Sequence, residues 1–253
     1  MSLKKLYFIF AIIILPLSAT ALQVISVLTF EPEMIFIEGG TFTMGCTSEQ
    51  ENDCQDREKP VYQVTLSSYF IGKFPITQAQ WLAVMGSNPS IFKVENLPIE
   101  NVSWNDAQEF IKKLNQITDK QYRLPTEAEW EFAARGGNKT LGYKYSGSNN
   151  IIDVAWYQDN SNSKTQPVGT KQPNELGIYD MSGNVWEWCS DWYGNFNNAS
   201  IINPTGNASG TNRVIRGGCW FNNANSTRVS YRNYNKPDYR NNIFGFRLAQ
   251  SSE

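Results

Sequence analysis

The sequence predicts an α+β fold that is rich in loops, with short strands and about three helices. Aromatic residues make up 13% of the chain, and 18 glycines and 11 prolines interrupt it. This composition is typical of short strands and tight turns and not of a helical bundle. The 253 residues are 41% hydrophobic and contain no internal repeat, so we expect one domain with one core.

Composition also excludes several classes of function. Histidine is absent, which excludes Ser-His-Asp and Cys-His catalysis, histidine-ligated zinc or iron, and histidine-based pH switching. The formal net charge is −2 and no cluster of basic residues stands out. Nucleic acid is therefore not expected as a partner.

The amino terminus has the organisation of a secretory signal peptide. Lys4 and Lys5 precede an apolar run from Leu6 to Leu17, and Ala19-Thr20-Ala21 fits a small-x-small cleavage site. The run is shorter than the roughly 20 residues of a membrane-spanning helix, which favours a cleaved signal over a membrane anchor and leaves no transmembrane segment after cleavage. We expect an exported protein that is periplasmic, at the cell surface or secreted. The predicted organisation is a signal peptide at 1–21, a short lead at 22–33 and one domain at 34–250.

Two strand regions open the domain. Met34–Gly45 predicts two short strands around a turn at Gly39-Gly40, which together form a hairpin. Val61–Phe70 alternates in polarity and predicts a further strand. The candidates for its buried edge are Val61, Val64, Leu66 and Tyr69.

A pair of cysteines lies between these strand regions. Cys46 and Cys54 flank an acidic, polar loop that has nothing to bury. In an exported protein this spacing favours a local disulfide, which would contribute about 2–3 kcal/mol to stability.

Three helices carry signals at their ends. The N-caps and their partners are Thr77, Ser103 with Asp106, and Thr126 with Glu129. Gly86 ends the first helix and Gly136 the third. The second helix has apolar residues at helical spacing on one face, which we assign to the core: Ala107, Phe110, Ile111 and Leu114.

Two later strands are expected within polar surroundings. Val154–Tyr157 lies in the asparagine-rich stretch Asn138–Gln166, and Arg213–Trp220 follows a second polar loop. Gly217-Gly218 interrupts the second of these strands, where another backbone or a ligand can approach closely.

The segment Gly177–Trp188 is the most distinctive part of the chain. Gly183-Asn184 suits a tight turn, and Val185–Trp188 alternates as a half-buried strand does. Asp180 and Glu187 bracket the turn, so two carboxylates and nearby backbone carbonyls can converge on one hard cation. The alternative is that the carboxylates only accept hydrogen bonds from backbone amides.

Four motifs together resemble a known family. They are Tyr122–Gly137, Gly177–Trp188, Arg213–Gly218 and Gly245–Arg247, in this order. The chain resembles the sulfatase-modifying-factor family, that is, the formylglycine-generating-enzyme domain, a variant of the C-type-lectin-like fold. The resemblance runs from about Met34 to Leu248 and implies this fold for nearly the whole mature chain.

The resemblance places a structural calcium ion at the central turn. Its ligands would be the carboxylates of Asp180 and Glu187 and the backbone carbonyls of Gly183 and Val185. The turn chemistry described above points to the same cation class, because calcium is bound by oxygen ligands of these kinds.

The resemblance also places the oxidase chemistry, which in the formylglycine-generating enzymes depends on two cysteines that bind copper(I). The corresponding positions here are Asn222 and, near the second, Thr227. Neither side chain is a soft anionic ligand at neutral pH, so copper is not expected. Cys189 and Cys219 are the weak catalytic candidates that remain: they can form a relocated thiolate pair, a core disulfide or buried thiols.

Residues 213–248 resemble the variable region of proteins that retroelements diversify, which use the same lectin-like fold. In those proteins mutagenesis of asparagine codons yields Asn, Tyr, Ser, Thr, Ile and Phe, the residue types found here between fixed arginines and glycines. The alternative is that asparagine is simply common in this protein. The predicted ligand-binding residues are Phe221, Asn222, Ser226, Thr227, Tyr231, Tyr234, Tyr239 and Phe244.

These observations predict a non-catalytic domain that binds a protein or cell-surface ligand. The alternative is an enzyme, either a formylglycine-generating-type oxidase acting on a protein cysteine or another enzyme of this fold. Six arginines of the carboxyl-terminal part could form an anion-binding array: Arg213, Arg216, Arg228, Arg232, Arg240 and Arg247. We expect instead that most of them tie loops together through carboxylates and carbonyls.

Overall fold

A computed structural model describes residues 31–196 and 201–252 of the protein. The predicted signal peptide and nearly all of the predicted lead lie outside the described residues. Within those two ranges no helix is both long enough and apolar enough to cross a membrane.

Short strands form the frame of the described chain. They are β1 (Met34–Ile37), β2 (Gly40–Met44), β3 (Tyr62–Leu66), β4 (Tyr69–Gly72), β5 (Tyr122–Arg123), β6 (Trp186–Trp192), β7 (Ile201–Ile202), β8 (Arg213–Arg216), β9 (Arg232–Asn235), β10 (Phe244–Gly245) and β11 (Ala249–Ser251). They make three sheets in this part of the chain, with strand orders β1-β4-β11-β5, β2-β3-β7 and β10-β6-β8-β9. Strands from both ends of the chain therefore pair in the first sheet, and the central motif lies in the third.

Four helices pack around these sheets in the described residues: α1 (Gln78–Met85), α2 (Trp104–Thr118), α3 (Glu127–Ala134) and the single turn α4 (Ile151–Val154). Each of the three longer helices begins with the predicted N-cap and a complete capping box. Gly86 ends α1 in the left-handed conformation, with φ of 77°. The predicted core face of α2 is buried, and the mixed α+β class is confirmed.

The predicted opening hairpin is wrong. β1 pairs with β4 and β2 pairs with β3, so the two strands belong to different sheets. Gly39-Gly40 is the crossing point between the sheets and not a reversal of the chain. A Cβ atom on Gly39 would lie 2.4 Å from the carbonyl oxygen of Leu66, so glycine is required there for close backbone approach.

Two further strand predictions need correction. Val61–Phe70 splits into β3 and β4; Val64, Leu66 and Tyr69 are buried as predicted, but Val61 is exposed. The predicted strand Val154–Tyr157 is absent, because the backbone N–H of Ala155 donates to the carbonyl of Ile151 and closes a helical turn. Trp156 makes only an isolated bridge, with Gly183.

The third sheet lies between two apolar clusters. Trp186 and Trp188 of β6 pack into the cluster that contains α1 and α2, whereas Cys189 packs into the cluster that contains α3 and β1. Residues on both faces of β6 are therefore buried, including Glu187. The prediction of a half-buried strand at this motif is wrong, because the strand is covered on both sides.

Candidate functional site

The central turn precedes β6 and contains three residues with positive φ. Asp180, Gly183 and Asn184 have φ values of 57°, 84° and 62°. A Cβ atom on Gly183 would lie 2.3 Å from the carbonyl oxygen of Trp156, and that carbonyl accepts the backbone N–H of Asn184 at 2.8 Å. The turn is thus tied to the 151–157 segment, and this close approach requires glycine.

The two carboxylates of the turn are both buried but have different partners. Arg247 donates to both oxygens of Glu187, at 2.6 and 2.8 Å, and the indole N–H of Trp130 donates to the same carboxylate at 2.7 Å. Asp180 accepts the backbone N–H of Gly169 at 2.8 Å. Burial raises the pKa of Asp180 to about 6, against the opposing hydrogen bond from Gly169.

These residues fit a calcium ion chemically. Each carboxylate oxygen has two lone pairs, so the hydrogen bonds to Asp180 and Glu187 leave acceptor capacity. Within the described chain no group of three or more His, Cys, Asp and Glu side chains is placed to hold a metal, and a calcium site here would rely on carbonyl oxygens as well. Calcium at this turn stays a prediction.

The four cysteines form one disulfide and two buried thiols. Cys46 and Cys54 are bonded, with their Cα atoms 5.8 Å apart. Cys189 and Cys219 are unpaired and buried, and they belong to different apolar clusters. The alternative of a core disulfide between them is wrong, because the third sheet separates their surroundings.

Neither free thiol has the character of a metal-binding thiolate. Burial raises the pKa of Cys219 to about 12 and that of Cys189 well above its usual range. The thiol of Cys219 donates to the side-chain oxygen of Asn222 at 3.0 Å. Burial thus disfavours the thiolate form of both cysteines, and the thiolate is the form that binds metals.

The two positions that the resemblance assigns to copper ligands are occupied by residues with local structural roles. The side-chain oxygen of Asn222 also accepts the backbone N–H of Cys219 at 3.0 Å. Thr227 is buried at the end of a short 3₁₀ turn, and its hydroxyl donates to the carbonyl of Ala224 at 2.9 Å. The loop after the Gly-Gly strand is held by these bonds.

Buried arginines anchor the carboxyl-terminal loops to the rest of the domain through ion pairs. Arg228 donates to both oxygens of Glu58 at 2.8 Å, and its Nε donates to the carbonyl of Asn225 at 2.9 Å. Arg232 donates to both oxygens of Glu127, at 2.7 and 2.6 Å.

The remaining arginines also have structural partners. Arg216 donates to Glu131 at 2.5 Å, and Arg213 donates to the carbonyl of Ser190 at 2.6 Å. The prediction that these arginines tie loops together is confirmed.

The eight predicted ligand-binding residues are not all accessible. Three are exposed, namely Phe221, Tyr234 and Tyr239, and two are half-buried, namely Asn222 and Ser226. The other three predictions are wrong: Thr227, Tyr231 and Phe244 are buried. Tyr231 packs on Trp186 with ring centroids 5.9 Å apart, and Phe244 packs on Trp188 at 5.2 Å, so both belong to the core.

Tyr234 lies apart from the other exposed positions. It stacks on Tyr193 with centroids 4.2 Å apart, on the same face of β9 as Arg232, because alternate residues of a strand share a face. Phe221 instead packs against Trp220 at 5.6 Å, and Phe92 packs on the same indole at 5.7 Å.

Phe92 is a residue that sequence reasoning missed at this surface. The signal was an uncharged apolar pair, Ile91-Phe92, in a loop opened by Asn88-Pro89 and without helix or strand periodicity.

Two cavities lie away from this surface. One of about 610 Å³ is lined by residues that include Trp104, Arg123 and Glu129. The other, of about 340 Å³, is lined by residues that include Glu127 and Asp191. Burial raises the pKa of Asp191 to about 7, and the neighbouring Glu127 carboxylate adds to the rise.

Comparison with known proteins identifies the family. Residues 26–252 match the family described as the sulfatase-modifying factor enzyme 1-like domain. The chain belongs to this family. Its sequence is similar to the chaperone protein LppX of Paenibacillus barcinonensis, with 36% identity over 80% of this chain and 84% of that protein. It is also similar to the formylglycine-generating enzyme of Streptomyces coelicolor, with 34% identity over 69% of this chain, and spans 59% of that enzyme.

A solved structure of the same fold is also similar. Treponema denticola variable protein 1 superimposes with a TM-score of 0.79 at 33% identity, covering 87% of this chain and 95% of that protein. The sulfatase-modifying-factor domain of this chain thus has the C-type-lectin-like fold that the resemblance implied, and its likeness to variable proteins is confirmed.

Proposed function

We propose that this protein is a non-catalytic binding domain that holds a protein or cell-surface ligand through its carboxyl-terminal loops. The observation that carries the proposal is the chemistry at the two copper-ligand positions. Asn222 and Thr227 offer an amide and a hydroxyl there, and both are already engaged in hydrogen bonds within the loop. Copper(I) selects soft thiolates, so this loop has no means of holding it.

The names of two similar proteins also support a binding role. Treponema denticola variable protein 1 and the Paenibacillus chaperone LppX are named for variability and for chaperoning, and neither name refers to a reaction. Chaperoning requires binding to another protein. The Streptomyces enzyme favours the oxidase alternative, which a direct assay separates from the binding role.

The exposed residues suit a binding surface. Phe221 and Tyr239 offer stiff aromatic contact area, because each side chain has only two rotatable bonds. Ser226, which is half-buried in the same segment, adds a hydroxyl that can form hydrogen bonds. The predicted export of the protein is consistent with a ligand outside the cytoplasm.

The oxidase assay tests the absence of copper chemistry. The purified protein, incubated with copper(I) and a Cys-x-Pro-x-Arg peptide under oxygen, is expected to produce no peptide aldehyde, measured by hydrazide capture and mass spectrometry. The Streptomyces enzyme, treated in parallel, is the positive control. A robust aldehyde yield from this protein would establish the enzyme and refute the proposal.

The gene neighbourhood tests the display role. A near-copy of the DNA for Arg213–Leu248, with asparagine codons at the exposed positions and a reverse transcriptase gene beside it, is the expected finding. A sulfatase gene in that place, with no such copy, would contradict it.

We propose in addition that calcium occupies the central turn and stabilises it. Addition of calcium to protein treated with a chelator is then expected to raise Tm, with a gain of about 2.7 kcal/mol at a hundredfold excess over Kd. Asp180→Asn removes a charged ligand and should abolish the shift. An unchanged Tm in the wild type would contradict the site.

A further inference from the structure

An exposed apolar loop lies beside the aromatic end of the proposed binding surface. Ile91 and Val94 are 60% and 56% exposed, and Phe221 is 64% exposed. Single exposed apolar residues need no explanation, whereas a contiguous group of them marks an interaction site.

The exposed apolar residues are connected through Trp220. Its indole is buried and contacts the rings of both Phe92 and Phe221, at centroid distances of 5.7 and 5.6 Å. The indole N–H donates to the carbonyl of Asn242 at 3.0 Å, which fixes the orientation of the ring. Phe92, Trp220 and Phe221 therefore form a continuous row of ring contacts, and the exposed Ile91 is the residue before Phe92 in the chain.

Buried polar side chains fix the backbone of the loop. One oxygen of the Glu100 carboxylate accepts the backbone N–H groups of Ile91 and Phe92, at 2.5 and 2.9 Å. Gln78 donates to the carbonyl of Phe92 at 2.6 Å and accepts the N–H of Val94 at 3.2 Å. Both Glu100 and Gln78 are fully buried, so two anchored side chains set the position of the exposed residues.

The charge of this region narrows the choice of partner. Residues 217–227 contain no charged side chain, and residues 87–94 contain only Lys93. An anionic membrane surface requires a cluster of basic residues, which this region lacks. Aromatic and aliphatic side chains among asparagines match the composition of surfaces that bind folded proteins.

We propose that Ile91, Phe92 and Val94, here called the 91–94 ledge, form a preorganised second half of the binding surface and pack against an apolar patch on a folded protein ligand. The inference rests on the proposed binding function and adds a contact area outside residues 213–248. Because the ledge is already ordered, binding to it costs little conformational entropy. Substitutions at Phe221 would then determine which protein is bound, while the ledge would contribute affinity for every such protein.

The test uses a defined probe protein, hen egg-white lysozyme. A display library of the full chain is varied at Phe221 and Ser226 and selected for binding to lysozyme. Ile91→Asp and Val94→Asp are then introduced separately into a selected binder. The matched control is Leu141→Asp, because Leu141 is 66% exposed and lies in a turn beside Glu175.

We expect Ile91→Asp and Val94→Asp each to weaken lysozyme binding at least about tenfold. Leu141→Asp should leave the affinity unchanged, and the Tm of all three variants should match that of the parent. If binders are obtained and the ledge variants keep full affinity, the ledge is refuted while the proposed binding function stands. If no binder emerges from the library, both are refuted.

A second copy of the chain and a lipid surface are the two other candidate occupants of the ledge, and each is tested separately. Ultracentrifugation of the unmodified chain and its Ile91→Asp variant tests a second copy, and flotation with phosphatidylcholine vesicles tests a lipid surface. Dimerisation or vesicle binding that Ile91→Asp abolishes would assign the ledge to that occupant and overturn the proposal. A monomer that does not float is the expected result.

Discussion

The carboxyl-terminal segment 213–248 has two sides that differ in what they do. Its inner side consists of buried residues that hold the segment to the domain: Arg216, Arg228, Tyr231, Arg232, Phe244 and Arg247. Its outer side consists of Phe221, Asn222, Ser226 and Tyr239, which are exposed or half-buried. Ionic and aromatic contacts on the inner side specify the fold, so we expect changes at the exposed Phe221 and Tyr239 on the outer side to leave the fold unaltered.

The largest expected effect comes from replacing one arginine on each side of the segment, which tests whether the inner side alone stabilises the fold. Arg228→Met leaves the buried Glu58 carboxylate without its cation, and we expect a loss of about 3–5 kcal/mol in the free energy of unfolding. Arg240 makes an equally short pair with Asp106, at 2.6 and 2.7 Å, but its side chain is 54% exposed. Arg240→Met should cost no more than about 1 kcal/mol. Urea denaturation measures both, and equal losses would contradict the distinction.

A pair of tyrosines tests the apolar part of the comparison. Tyr231→Asn removes a buried ring from the contact with Trp186 and should cost about 2–4 kcal/mol. Tyr239 is 46% exposed, and Tyr239→Asn should change stability by less than about 0.5 kcal/mol. Thermal unfolding of the two variants provides the measurement. A costly Tyr239→Asn would show that the outer side also specifies the fold.

The disulfide loop contacts the inner side at Arg228, so removing the disulfide tests whether this loop stabilises the inner side locally. Arg228 donates to the carbonyl of Asp53 and the side chain of Gln50, both within or beside the loop closed by Cys46 and Cys54. Replacing both cysteines with serine should cost about 2–3 kcal/mol. Hydrogen exchange should accelerate at residues 225–230 and not at the 91–94 ledge. Uniform acceleration across both regions would argue against a local role.

The last prediction concerns the pH dependence of Asp191, an acid near the inner side. It accepts hydrogen bonds from the backbone of Glu127 and from Ser190, and no lysine or arginine of the described chain forms a salt bridge with it. Its pKa of about 7 lies above the ordinary value of 3.8. The stabilisation from its proton is therefore complete below a pH of about 4 and is lost as the pH rises through about 7.

Asp191→Asn keeps both hydrogen bonds and removes the titration. We expect the variant to be more stable than the wild type at a pH of about 8, with the difference shrinking at a pH of about 5. Urea denaturation at the two pH values measures this. A difference that does not change with pH would show that Asp191 titrates at its ordinary value.

Local signals explain which parts of the fold were predictable. The capping residues Thr77, Ser103 and Thr126 lie within three residues of their partners, so the helices follow from the sequence alone. The hairpin at Gly39-Gly40 failed because strand partners come from distant segments: β1 pairs with β4, and Gly39 meets the backbone of Leu66.

The candidate site shows the same limit. Burial of Tyr231 and Phe244 depends on a sheet covered on both faces, which strand alternation does not reveal. The partner of Glu187 is Arg247, 60 residues away in sequence. Resemblance to a family supplied the positions of Asn222 and Thr227, whereas the exposure of each position required coordinates.

The two buried thiols affect how this protein recovers from unfolding. In the native state Cys189 and Cys219 are shielded from the Cys46–Cys54 bond. Once the chain opens, either thiolate can attack that bond, and exchange can then place the single disulfide between any two of the four cysteines, although only the Cys46–Cys54 pairing is native. Heating without a reductant at alkaline pH should therefore leave scrambled chains that do not refold, so recovery after a thermal scan would depend on redox chemistry more than on equilibrium stability.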